Sequence, residues 1–102
     1  MKKSEILQKV LEIVSECTEI TEEQILSDCR QADVVDARCM TVYWLRQTGI
    51  TARNIMQWFA FKSHSSVCYH TAQYSARIKT DNYFRSIALF IGEQIIKSGV
   101  KR

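Results

Sequence analysis

The stretch FAFKSHSSVCYH, residues 59–70, decides how this chain is read. One of only two histidines stands in a Lys62-Ser63-His64-Ser65-Ser66 cluster between two apolar segments of helical periodicity. A buried core has no use for such a cluster. An exposed helix N-terminus does, because its first amides have no partners inside the helix and accept polar company.

The surrounding sequence divides into helices. Ile6, Val10, Ile13, Val14 and Cys17 recur at helical spacing after Ser4, which is placed to cap them. Thr21-Glu22-Glu23-Gln24 matches the capping box, so a short helix through Ile25 and Leu26 is expected. Asp28 to Asp33 reads as a loop with one basic residue, Arg30. Asp33 is suited to cap a third, central helix through Val34, Met40, Val42 and Leu45. It ends near Thr48, where Gly49 suits a left-handed position. Thr51 caps a shorter helix carrying Ile55, Met56, Trp58 and Phe59, and Ala60-Phe61-Lys62 makes a tight connection. Ser63 then caps a longer helix. Its Val67, Thr71, Tyr74 and Ile78 share one face, with His64, Ser65, Ser66, Tyr69 and Gln73 on or beside the other. The last helix, 82–98, starts at Asp81 or Asn82 and ends at Gly99, and Gly92 inside it weakens the pattern. The expected fold is one all-α domain over 1–102, with five to six helices and a helix-turn-helix at about 51–79.

Composition narrows the function. The chain has 102 residues, no proline and three glycines, which suits helices joined by short turns. Residues 1–33 hold four basic and eight acidic side chains, a net of −4, and residues 34–102 hold ten basic and three acidic, a net of +7. A basic C-terminal two-thirds suits a polyanion, although a solvated basic face gives the same count. The acidic first helix should face away from such a partner. The N-terminus lacks the continuous apolar core of a signal peptide, and no run is long enough to cross a membrane. Cys17, Cys29, Cys39 and Cys68 match no zinc spacing, and Cys17, Cys39 and Cys68 fall in apolar helical runs as small hydrophobes. A cytoplasmic protein with reduced thiols is expected. Nothing supports an enzyme, a metal site or another cofactor. His64, Cys68 and His70 are close in sequence, but no second cluster supplies ligands, and His70 reads as a packed histidine. Trp44, Trp58, Tyr43 and Phe59 read as core aromatics.

In a helix-turn-helix the second helix enters the major groove and its first turn meets base edges. Ser63, Ser65 and Ser66 are short groups that let a backbone approach, and His64 can hydrogen-bond a purine edge. Lys62 and Arg53 are placed to hold phosphates. A helical bundle whose polar turn is ordinary capping chemistry is the alternative.

Two segments tilt that balance. VVDARCMTVYWLRQTG (34–49) and NIMQWFAFKSHSSVCYHT (54–71) resemble the C-terminal DNA-binding domain (domain IV) of the bacterial chromosomal replication initiator DnaA. The likeness covers roughly residues 1–80, with ITEEQILSD before the two segments. The second segment is similar to the family signature, in which a phenylalanine and two glycines lead into a basic residue, Asp-His, two hydroxyl residues and valine. The resemblance implies a Trp-repressor-like fold and sequence-preferring binding of double-stranded DNA in replication initiation or its regulation. It implies that Arg38 enters the minor groove, and that Lys62, His64, Ser65 and Ser66 contact the major groove and its phosphates.

The chain departs from the family pattern at three places. Ser63 stands where the family has aspartate, Ala60 and Phe61 replace the two glycines, and the usually basic loop before the central helix is nearly neutral to acidic. No G-x-x-x-x-G-K-[ST] is present, so no nucleotide is expected and the chain reads as a stand-alone domain. Two alternatives remain: a helical protein-interaction module that kept the fold without the DNA, and a homodimer formed through the wide apolar face of the C-terminal helix.

Overall fold

Side-chain chemistry at the helix starts sets most of the boundaries. Thr21 Oγ1 accepts from Gln24 N at 3.1 Å while Gln24 Oε1 accepts from Thr21 N at 3.2 Å, which closes a reciprocal box. Thr51 Oγ1 accepts from Asn54 N at 3.4 Å, and Asp81 Oδ1 accepts from Phe84 N at 3.0 Å. The computed structural model describes residues 2–59, 61 and 63–99. Over these the helices are α1 (Lys3–Thr18), α2 (Glu22–Leu26), α3 (Ala32–Gln47), α4 (Ala52–Phe59), α5 (His64–Thr80) and α6 (Asn82–Lys97). The fold is all-α.

Three caps differ from the sequence reading. Ser4 lies inside α1, whose N-cap is Lys2, and Glu5 reaches back to accept from Lys2 N at 3.1 Å. Asp33 sits in the first turn of α3 rather than at its cap, where its charge faces the positive end of the helix dipole. Ser63 holds the N-cap position of α5, but its hydroxyl makes no cap bond; its carbonyl accepts from Ser66 N at 3.2 Å instead. Gly49 takes φ 92° and lets the chain leave α3, as its position implied.

α3 is the central element. Val34, Ala37, Met40, Thr41, Val42 and Leu45 are buried on it, and α1, α2 and α5 pack around it. Tyr43 stacks on Tyr74 of α5 with ring centroids 3.8 Å apart. Arg77 of α5 pairs with Asp36 of α3 at 2.6 Å and with Asp81 at 2.8 Å, and lies over the Phe84 ring at 5.0 Å. One guanidinium therefore ties three helices at the end of α5 remote from His64.

Gly92 does not interrupt α6; it lets Trp44 of α3 approach. A β-carbon at Gly92 would stand 2.8 Å from Trp44 Cζ2. Alanine gains about 1 kcal/mol in helix propensity, yet overpacking of this kind costs about 1–3 kcal/mol. Gly92→Ala is therefore expected to lower the midpoint of urea unfolding, with a net loss of about 1 kcal/mol. α6 also carries an apolar side chain on its outer side, where Ile96 is 71% exposed.

Candidate nucleic-acid interface

α4 and α5 pack on each other across a four-residue connection, 60–63, in helix-turn-helix order. Ile55 and Phe59 anchor α4, and Val67, His70 and Tyr74 anchor α5. Two of these four residues, Ala60 and Lys62, lie outside the described residues. The phosphate role expected of Lys62 therefore has no geometry here.

Phe61 shows how the turn forms without the family's second glycine. Its side chain packs against the core where the family has glycine. Its amide donates to Met56 O at 2.9 Å. Its ring stacks between Phe59, at 5.3 Å, and His70, at 4.9 Å. The aromatic side chain fills a space that glycine would leave open, and so fixes α5 against the turn.

His70 is the other half of that lock. It is buried, and Nδ1 lies 2.6 Å from the Ser66 carbonyl, which sets the first turns of α5. Burial lowers its pKa below the ordinary 6.5, and the folded protein holds it neutral. The unfolded chain takes up the proton more readily. Stability from this residue is present above about pH 6.5 and is lost as pH falls below it. His70→Phe keeps a ring against Phe61 and is expected to show a shallower loss of stability between pH 7.5 and 5 in urea titrations.

The leading edge of α5 is open. Ser63, His64 and Ser65 are exposed, Ser66 is half-buried, and Tyr69, one turn on, is 56% exposed. His64 shares a cleft with Arg53, Met56, Gln57 and Phe61, so the first turn of α4 brings its exposed cation beside the first turn of α5. The partial positive charge of the α5 N-terminus points the same way. This arrangement can hold phosphate oxygens with Arg53 and backbone amides while His64 and the serines meet base edges. Cys68, read as a packed hydrophobe, is exposed on this same helix.

Arg38 is packed within the fold. It is 4% exposed, and its guanidinium is committed to backbone carbonyls: Nε donates to Ile25 O at 2.9 Å, and one terminal nitrogen donates to Cys29 O at 3.0 Å and Gln24 O at 3.4 Å. The carbonyls at the end of α2 carry its negative dipole end, and a buried cation answers it beside the Ser27 amide and hydroxyl that donate to Gln24 O. Burial lowers the Arg38 pKa, though an arginine stays charged. In this structure Arg38 is the clasp between α2, the following loop and α3, and not a free groove probe.

The loop it holds carries an exposed cation that the sequence reading left unassigned. Arg30 lines a cleft with Asp28, Val35, Arg38, Tyr69 and His70, which places it beside α5. The signal was present, since Arg30 is the one basic residue of a loop that is basic in the resembled family. Its neighbouring aspartates outweighed it.

The four cysteines are unpaired, and among the described residues no group of three His, Cys, Asp or Glu side chains is placed to hold a metal. No described helix is long and apolar enough to cross a membrane.

No solved structure matches the chain. Residues 7–73 match the family described as the bacterial dnaA protein helix-turn-helix. That match spans α1 to the middle of α5 and includes every element that builds the exposed edge. This is a DNA-binding, non-catalytic family. The chain belongs to the bacterial DnaA helix-turn-helix family.

Proposed function

We propose that this chain binds double-stranded DNA with sequence preference through the leading edge of α5, in replication initiation or its regulation, in the cytoplasm. The observation that carries this reading is the exposed His64-Ser65 turn beside exposed Arg53, in a helix-turn-helix of a DNA-binding family. His64, Ser65 and Ser66 meet base edges, Tyr69 reaches the groove wall, and Ser63 brings the helix end close to the backbone. Arg53 and Lys62 hold phosphates. No nucleotide is required for any of these contacts.

Titration of a labelled random 20-base-pair duplex at low salt tests the reading. Binding is expected, with log K falling against log salt at a slope of about −2 for the two phosphate cations. Lys62→Ala should weaken binding to all sequences and reduce that slope by about one unit. Selection from a random duplex pool should then yield a consensus.

The second reading is a protein-interaction module that keeps the fold without binding DNA. The commitment of Arg38 to α2 favours it, since the arginine matched to the family's minor-groove residue is occupied. Absence of duplex binding at low salt selects this reading.

A further inference from the structure

Four of the five large apolar side chains that stand most exposed belong to α6: Tyr83 at 77%, Leu89 at 57%, Phe90 at 52% and Ile96 at 71%. Part of that face borders a groove between α6, the C-terminal half of α1 and the start of α3. Its floor is apolar, with Cys17, Ile20, Met40 and Ile87, and Tyr83 and Phe90 stand along its α6 side. Its two lobes share Glu16 and Cys17 and lie side by side as a trough bordered from Tyr83 to Gln94. The eleven helical steps from Tyr83 to Gln94 correspond to about 16 Å, or three turns of a docked helix.

Among the described residues the rim has one sign. Glu16, Glu19, Asp33 and Asp36 line the trough, and no described lysine or arginine does. Among the described residues only Asp36 of these four has an ion-pair partner, Arg77. The exposed carboxylates of Glu16, Glu19 and Asp33 therefore present a negative border around an apolar floor.

We infer that this α1–α6 trough docks a cationic amphipathic helix of another protein. Apolar side chains on one face of such a helix cover the floor and meet Tyr83 and Phe90, and its lysines or arginines face the carboxylates. Duplex DNA and anionic lipid carry the wrong charge for this rim. A two-fold homodimer through the same face would bring like-charged rims together, which argues against the symmetric α6 pairing suggested by the sequence. α5 runs about 25 Å from His64 to Thr80 over its 17 residues. Tyr83 follows at its far end, so the trough and the α5 leading edge can be occupied together.

The probe is a fluorescein-labelled 14-residue helical peptide with leucines at i, i+3, i+4 and i+7 and lysines on the remaining face, titrated with the full chain by fluorescence anisotropy in the absence of DNA. Binding is expected. It should disappear when glutamates replace the lysines and when serines replace the leucines. Glu16→Lys with Glu19→Lys should weaken it at least tenfold with circular dichroism unchanged. Glu23→Lys with Asp28→Lys, an equal charge change elsewhere, should weaken it far less. Equal binding of the glutamate peptide, equal effects of the two double variants, absence of peptide binding, or a concentration-dependent dimer that excludes the peptide would each overturn the proposal. Because no DNA is present, none of these outcomes depends on the function of α5.

Discussion

Arg38→Ala is expected to lower folding stability by about 3 kcal/mol, the cost of leaving buried backbone acceptors without a charged donor. The arginine serves three carbonyls from two segments, Gln24 and Ile25 in α2 and Cys29 in the loop, at 2.9–3.4 Å. Removing it takes the guanidinium from the Ile25 and Cys29 carbonyls and opens a cavity beneath the loop, while Ser27 still caps Gln24 O. Arg38→Lys should recover only part of the loss, because one ammonium cannot span Ile25 and Cys29 as the planar fork does. The measurement is chemical denaturation of the two variants beside the parent. The same variants separate two roles for this residue. If Arg38→Ala left stability unchanged yet removed preference for a selected duplex, the minor-groove role implied by the family resemblance would stand and the clasp would not.

His64→Ala should weaken binding to a selected duplex by about 1–3 kcal/mol, or roughly five- to 150-fold, while changing binding to random duplex much less. The imidazole is exposed at the first residue of α5 and forms no part of the core, so melting should be unaffected. Arg53→Ala should behave differently, with loss across all sequences and a salt slope shallower by about one. The contrast separates base contact from phosphate contact better than either variant alone. Equal losses on selected and random duplexes from His64→Ala would place the histidine on the backbone instead.

The elements legible in the sequence were those whose signals are local. The box at Thr21, the αL residue at Gly49 and the cap at Asp81 each depend on partners within a few positions, and each is present in the structure. The spacing from Thr51 through Ser63 placed α4 and α5 for the same reason. The packing of Arg38 was not legible because its acceptors lie nine to 14 positions away, across a loop whose path the sequence does not specify. A basic residue on a helix announces charge but not which carbonyls surround it. Gly92 was ambiguous on the same grounds: its reason is Trp44, a residue on another helix. Cys68 was assigned inward by its apolar character, yet α5 turns that position to solvent. Phe61 is the clearest case of a departure from a family motif that structure explains. The motif suggested a glycine turn, whereas the ring against His70 supplies the order by stacking.

The central claim is that duplex DNA meets the protein at the start of α5. Amide chemical-shift mapping during titration with a duplex at low salt tests it most directly. The predicted result is a perturbed patch containing Arg53, Gln57, Ser63 to Ser66 and Tyr69, with α1 and the outer face of α6 silent. Perturbations confined to α1 and α6, or none at saturating duplex, would contradict it.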